Sequence, residues 1–191
     1  MAKAYAQKKL ETVAFHEAGH AVVAAMLGIP FQRVTIRPDA VYAGHVALGP
    51  GDPPERVCPW NPDWDVKQAR QYWKRHICGL LAGALAETLH TRCWQQQPVD
   101  DEHTDESKAL EIADYFDPPT KAMQWVNQLR FQTLETLRAP QVWAAVTTVA
   151  QELVRAKALD GAAVHALVCN RVRPSHLGTA FDLERGLSYA H

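Results

Sequence analysis

The hydrophobic pattern divides the chain into helices, with one short extended interval after the first of them. Over residues 5–27 apolar positions recur at helical spacing. The polar end at Lys8-Lys9 gives way to an apolar run over 13–27 that lacks strand alternation, and Gly28-Ile29-Pro30 closes it. Between Phe31 and Arg37 the period drops to two, with Val34 and Ile36 on one face and Arg33, Thr35 and Arg37 on the other. Pro38-Asp39 supplies a turn before a second run over 41–48, so the interval predicts a β-hairpin. On its second strand Tyr42, Val46 and Leu48 are expected to face the core, and Ala43, His45 and Ala47 to face solvent.

Residues 49–64 hold prolines at 50, 53, 54, 59 and 62 together with Trp60 and Trp64, which predicts an ordered surface loop. The tryptophans are expected to cover the adjacent helix or to rim a groove. Asp63 or Asp65 is placed to cap a helix running through Trp73 and Ile77 to Leu89. Its small-residue stretch, 79–86, suits close packing against the first helix. After a loop around Pro98, the acidic run 100–106 leads into Ala109, Ile112 or Ala113 and Phe116 at helical intervals, with Asp105 on the same stripe. Two more helices follow, over 120–139 and 141–157, the second with Trp143, Val146, Val149 or Ala150, and Leu153 on one face. Asp160 is placed to cap a short helix ending at Val168. The expected fold is therefore mainly α, a helical domain with a small β-hairpin or sheet beside the first helix. Its expected extent is 1–168, with a C-terminal helical part over 120–168 and a tail over 169–191.

Composition narrows the function. Twenty basic and twenty-one acidic residues give a net charge of −1 without long blocks of either sign, so nucleic acid is not an expected partner. Cys58, Cys78, Cys93 and Cys169 are widely spaced with no CxxC, as suits reduced thiols in a cytoplasm, although Cys58 and Cys93 could form a zinc clip. No run of about 18 apolar residues exists and the N-terminus is too polar for a secretory segment, so no membrane segment is expected. Neither GxxxxGK[ST] nor GxGxxG occurs, so any ATP-driven unfolding is expected either to come from a separate ATPase or to be absent.

The chemistry concentrates at His16-Glu17-Ala18-Gly19-His20. On an α-helix, residues four apart stand about 40° apart and about 6 Å along the axis, so both imidazoles can reach one metal ion. Zinc held by two imidazoles and a third protein ligand keeps one position open and brings the pKa of water there toward about 7. Glu17 is then placed to take that water's proton and pass it to a leaving amine. The same spacing also suits two packed histidines; the helix-interior Gly19 and its small neighbours Ala18 and Ala21 favour a metal. Glu87, beside the small-residue stretch, and Asp105, on the inward face of a helix's first turn, are the candidate third ligands, followed by Asp101. His45 and His103 are candidates to stabilise a transition state. An exposed strand edge at 41–48 can pair with an extended peptide independently of its sequence.

The blocks Ala14-Phe15-His16-Glu17-Ala18-Gly19-His20-Ala21-Val22-Val23, Val34-Thr35-Ile36-Arg37-Pro38, Gly44-His45, Leu80-Leu81-Ala82-Gly83 with Ala86-Glu87, and Thr104-Asp105-Glu106-Ser107-Lys108-Ala109 resemble the peptidase domain of the FtsH-type ATP-dependent zinc metalloproteases. Leu153 with Leu159-Asp160-Gly161 is similar to that family's C-terminal helical part, and the likeness spans about residues 8–168. The resemblance implies His16, His20 and Asp105 on Zn2+, Glu17 as base and Glu87 as a non-ligand. It departs from the family at 99–104, where a small Gly/Ser-rich run is usual, at the Pro/Trp-rich insertion, and in lacking the fused membrane helices and ATPase ring. The expected function is a stand-alone zinc endopeptidase acting on unfolded segments or a specific partner protein. A narrow processing protease and a non-catalytic zinc-stabilised interaction module are the alternatives.

Overall fold

The computed structural model describes residues 2–38, 44–48, 53–59, 61–93 and 104–172. Helix α1, Ala2–Leu27, ends where Gly28 takes φ 67°, a left-handed conformation that suits glycine. There the Ile29 N–H donates to the Ala24 carbonyl at 2.9 Å and the Gly28 N–H to that of Ala25 at 3.4 Å, the pairing of a Schellman stop.

Strands β1, Phe31–Thr35, and β2, His45–Leu48, then pair antiparallel as the alternation predicts, with Val34 opposite Val46 and Thr35 opposite His45. A third strand, β3, Ala158–Asp160, closes the sheet in the order β2-β1-β3. Three residues carry no readable period, so β3 had no signal of its own. It forms because β1 offers a free edge and Lys157, at φ 68°, turns the chain back onto it. The same turn corrects the expected exposure of Thr35. That residue is buried, and its hydroxyl donates to the Lys157 carbonyl at 3.2 Å while accepting from the Arg37 N–H at 3.1 Å.

The other helices are α2, Val66–Thr91, α3, Asp105–Asp114, α4, Pro119–Arg138, α5, Pro140–Ala156, and α6, Gly161–Cys169, so the fold is mainly helical with one small sheet. Asp65 caps α2, its carboxylate accepting the Gln68 N–H at 2.9 Å, and Thr104 caps α3 by accepting from Ser107 at 3.1 Å. Asp160 ends β3 and precedes α6 without a side-chain cap. Helix α1 is central, packed on α2 and α5 with α6 and the sheet along it. Val22 and Val23 of α1, Ile77 of α2, Val126 and Leu129 of α4, and Val142, Val146, Val149 and Leu153 of α5 are buried in one core. The α1–α2 contact is unusually close. A Cβ on Gly19 would lie 2.5 Å from the Ala82 carbonyl oxygen and 2.6 Å from Ala86 Cβ, which is the reason for that helix-interior glycine.

The Pro-rich loop is pinned at its end. A single 3-10 turn, Glu55–Val57, is held by the Trp73 indole N–H donating to the Val57 carbonyl at 2.7 Å. Trp64 packs on Phe116 with ring centroids 5.4 Å apart, covering neighbouring helices; Trp60 lies outside the described residues. The Cys58–Cys93 clip is excluded. Cys58 is buried just before the start of α2, its thiol turned to the Pro53 and Pro54 carbonyls, and Cys93 is exposed just beyond that helix's other end. A helix of 26 residues, about 39 Å, separates them. Among the described residues no helix is long and apolar enough to cross a membrane.

Candidate metal centre

His16 and His20 project from α1 toward α2 and toward the first residue of α3. Each imidazole is held from behind by its Nδ1. His16 Nδ1 lies 3.1 Å from Glu87 Oε2, and His20 Nδ1 lies 2.7 Å from the Gly79 carbonyl oxygen. A carboxylate and a carbonyl only accept, so both Nδ1 atoms donate, and in the neutral rings both Nε2 atoms carry lone pairs. Those lone pairs face each other at 3.1 Å. Asp105 Oδ2 completes a triangle, 3.4 Å from His16 Nε2 and 3.1 Å from His20 Nε2.

Two imidazole nitrogens and a carboxylate oxygen thus converge on one point, an arrangement that either a metal cation or bound protons relieve. Donors 2.0–2.1 Å from a tetrahedral zinc ion stand about 3.3 Å apart, and the triangle here has edges of 3.1, 3.1 and 3.4 Å. Space is left for the ion. A Cβ on Gly83 would crowd His20 Nε2 and would stand 2.6 Å from His20 Cε1 and 2.7 Å from His16 Nε2. The donor set and the cradle fit a divalent metal, and His16, His20 and Asp105 are the group of described residues whose ligand atoms meet closely enough to hold one.

Electrostatics tell the same story with protons in the metal's place. Burial opposes charge on His16, but the hydrogen bonds to Asp105 and Glu87 and the nearby Glu17 charge outweigh it, pushing the pKa up to about 10. Burial likewise opposes charge on His20, and Asp105 overrides it, so that pKa also rises. Asp105 would be raised by burial, yet His20 and His16 hold its carboxyl well below the usual carboxylate range.

Glu17 is buried at the edge of this cluster. Desolvation raises its pKa above the ordinary carboxylate value, and the His20 and His16 charges offset that in part. The carboxylate lies against the backbone where the chain enters β2: a Cβ on Gly44 would fall 2.8 Å from Glu17 Cγ and 2.9 Å from Oε1. Among the described strands β2 is an edge strand, so the buried carboxylate stands beside the start of an edge.

The structure therefore brings together His16, His20 and Asp105, and sets Glu17 beside them. Glu87 is corrected from candidate ligand to outer partner, because α2 passes behind the His16 ring and offers the carboxylate to the nitrogen that faces away from the other donors. His45 is half-buried, close enough to Glu17 for its charge to be felt, so the expectation that it faces solvent does not hold. Asp101 and His103 lie outside the described residues. Sequence reasoning missed the parts played by Gly79 and Gly83. The signal was present: Gly79, Gly83 and Glu87 recur every four residues on α2 and meet the four-residue spacing of His16 and His20 on an antiparallel helix. No family model matches the chain, and no curated protein matches it.

Proposed function

We propose that the protein is a zinc-dependent endopeptidase, with His16, His20 and Asp105 holding the metal and Glu17 acting as general base. The observation that carries this reading is the triangle of two imidazole Nε2 atoms and a carboxylate oxygen with edges of 3.1–3.4 Å, open over Gly83 and flanked by a buried carboxylate. His16, His20 and Asp105 would hold a zinc ion there, which would supply Lewis acidity toward a peptide carbonyl and acidify the attacking water. Glu87 and the Gly79 carbonyl keep both imidazoles in the tautomer that leaves Nε2 free. Glu17 accepts the proton of the attacking water on its carboxylate and returns it to the departing amine. Burial raises its proton affinity, which suits a group that must hold that proton between the two transfers. The β2 edge aligns an extended peptide by main-chain pairing, which is indifferent to side chains and favours unfolded segments.

The test measures metal content and cleavage of an unfolded polypeptide side by side. Wild type is expected to bind one zinc and cleave, Glu17→Gln to keep the zinc and lose about a thousandfold or more in rate, and Asp105→Ala to bind zinc much more weakly through the histidine pair alone and to lose cleavage. A zinc-loaded wild type that cleaves nothing, with Glu17→Gln indistinguishable from it, overturns the reading. It would leave the non-catalytic zinc-stabilised module in its place.

A further inference from the structure

The third donor sits on the least supported element of the site. Asp105 is the first residue of α3, a helix of ten residues, and helices this short are marginal without tertiary support. Its fully buried residues are Ala109 and Ala113, with Leu110 and Ile112 packed more loosely at the margin. Alanine methyls seat a helix closely but interlock weakly, so they leave its rotation and sliding poorly defined. A metal ligand has to be placed to within about 0.5 Å.

Two arginines from other helices hold α3 instead. At its first turn, Arg130 of α4 gives one guanidinium nitrogen to the Glu106 carboxylate and another to the Asn127 side-chain oxygen, and both members of the Arg130–Glu106 pair are partly buried. Just past its last turn, Arg70 of α2 pairs with Asp117, its guanidinium 4.5 Å from the Trp125 ring centroid and 5.8 Å from that of Phe116. Glu106 follows Asp105 directly in the chain. Fixing its carboxylate to α4 fixes the turn from which Asp105 reaches the histidines.

We infer that Arg130, through Glu106, is a positioning residue for the third metal ligand, with the Arg70–Asp117 pair anchoring the other end of the same helix. The inference rests on the reading of His16, His20 and Asp105 as a metal site. Arg130 touches none of the three donors and acts through the placement of α3. The sign of its effect separates this role from a simple field effect. Arg130 is a cation near a cation site, so removing its charge alone would tighten metal binding. Removing its hold on α3 weakens it.

The experiment is chelator competition for zinc on the full chain, with the thermal midpoint of the metal-free protein measured alongside. Wild type is expected to bind one zinc. Arg130→Met and Glu106→Gln are each expected to weaken binding about tenfold, the scale seen for outer partners of metal ligands. Arg130→Lys, which keeps the charge and one donor, is expected to recover most of that loss. In an Asp105→Ala background, Arg130→Met is expected to add nothing, because the ligand it positions is gone. Unchanged or tighter zinc binding in Arg130→Met overturns the inference, as does a tenfold loss that persists in the Asp105→Ala background. Glu106→Asp, which keeps the charge but draws the carboxylate back by one methylene, is expected to weaken binding where a field effect alone would leave it unchanged, and keeps the test decisive if Arg130→Met fails to fold. Wild type that binds no zinc overturns the metal site itself.

Discussion

The two halves of the donor triangle are built differently. His16 and His20 stand on a 26-residue helix packed against another of the same length, and each ring is fixed from behind by a group on α2. Asp105 stands on a ten-residue helix seated on two alanines and held by ion pairs. The histidine half is preorganised by backbone packing, whereas the aspartate half is docked onto it. On the proposed reading of a metal site, the histidine pair is its fixed part and the placement of the third donor is the part that can be tuned.

Filling the cradle strikes at the histidine half. Gly83→Ala places a methyl in the space next to both Nε2 atoms, with neighbours at 2.6 and 2.7 Å. Zinc affinity measured by chelator competition is expected to fall by more than about a thousandfold, well beyond the roughly 10–100-fold of an outer-partner change. The nearest neighbours of the new methyl are the far ends of the two histidine side chains and not backbone, so the metal-free protein is expected to remain folded with its rings displaced.

Next in size is Glu87→Gln. The amide still reaches His16 Nδ1 but removes the negative charge behind the ring, and zinc affinity is expected to fall about 10–100-fold with little change in far-UV circular dichroism. If Glu87→Gln and Asp105→Ala prove equally damaging, Glu87 is acting as more than an outer partner.

Proton competition gives a third handle. In the metal-free chain the charged form of His16, opposed by burial but held by Asp105 and Glu87, has its pKa raised from 6.5 to about 10. Its contribution to stability is complete below about pH 6.5 and is lost as pH rises through about 10. Thermal midpoints of the metal-free protein are therefore expected to decline across that window, and those of the zinc-loaded protein to stay level because zinc takes the proton's place. Zinc binding near pH 7 is expected to release protons, seen as a calorimetric heat that depends on the ionisation enthalpy of the buffer.

The smallest effect tests the docked half alone. Thr104→Ala removes the cap of α3 and is expected to cost about 1 kcal/mol, read as up to about fivefold in zinc affinity and a small drop in thermal midpoint.

What was legible in the sequence follows the same division. Helix α1, its glycine stop and the histidine pair declare themselves through local spacing, because a 3.6 period and a four-residue interval need no knowledge of the rest of the fold. The hairpin was legible for the same reason. Spacing alone left Asp105 as one of several carboxylates, and the family resemblance singled it out. Choosing among them on geometry needs to know which side of the His16 ring α2 passes. That geometry turns Glu87 into the partner of Nδ1 and leaves Asp105 to face Nε2. β3 and the buried Thr35 were not legible, because they arise from a pairing between segments more than 120 residues apart. His45 escaped because strand alternation assigns a face but says nothing of the buried carboxylate lying beside that end of the strand.

The measurement closest to the central claim is X-ray absorption at the zinc edge of the protein loaded with one equivalent of metal. With His16, His20 and Asp105 on the metal, the first shell is expected to be nitrogen and oxygen only, near 2.0–2.1 Å, with the outer scattering of two imidazoles, and this signature is expected to be lost in Asp105→Ala. A sulfur ligand near 2.3 Å, a single imidazole, or an unchanged spectrum in Asp105→Ala would contradict it.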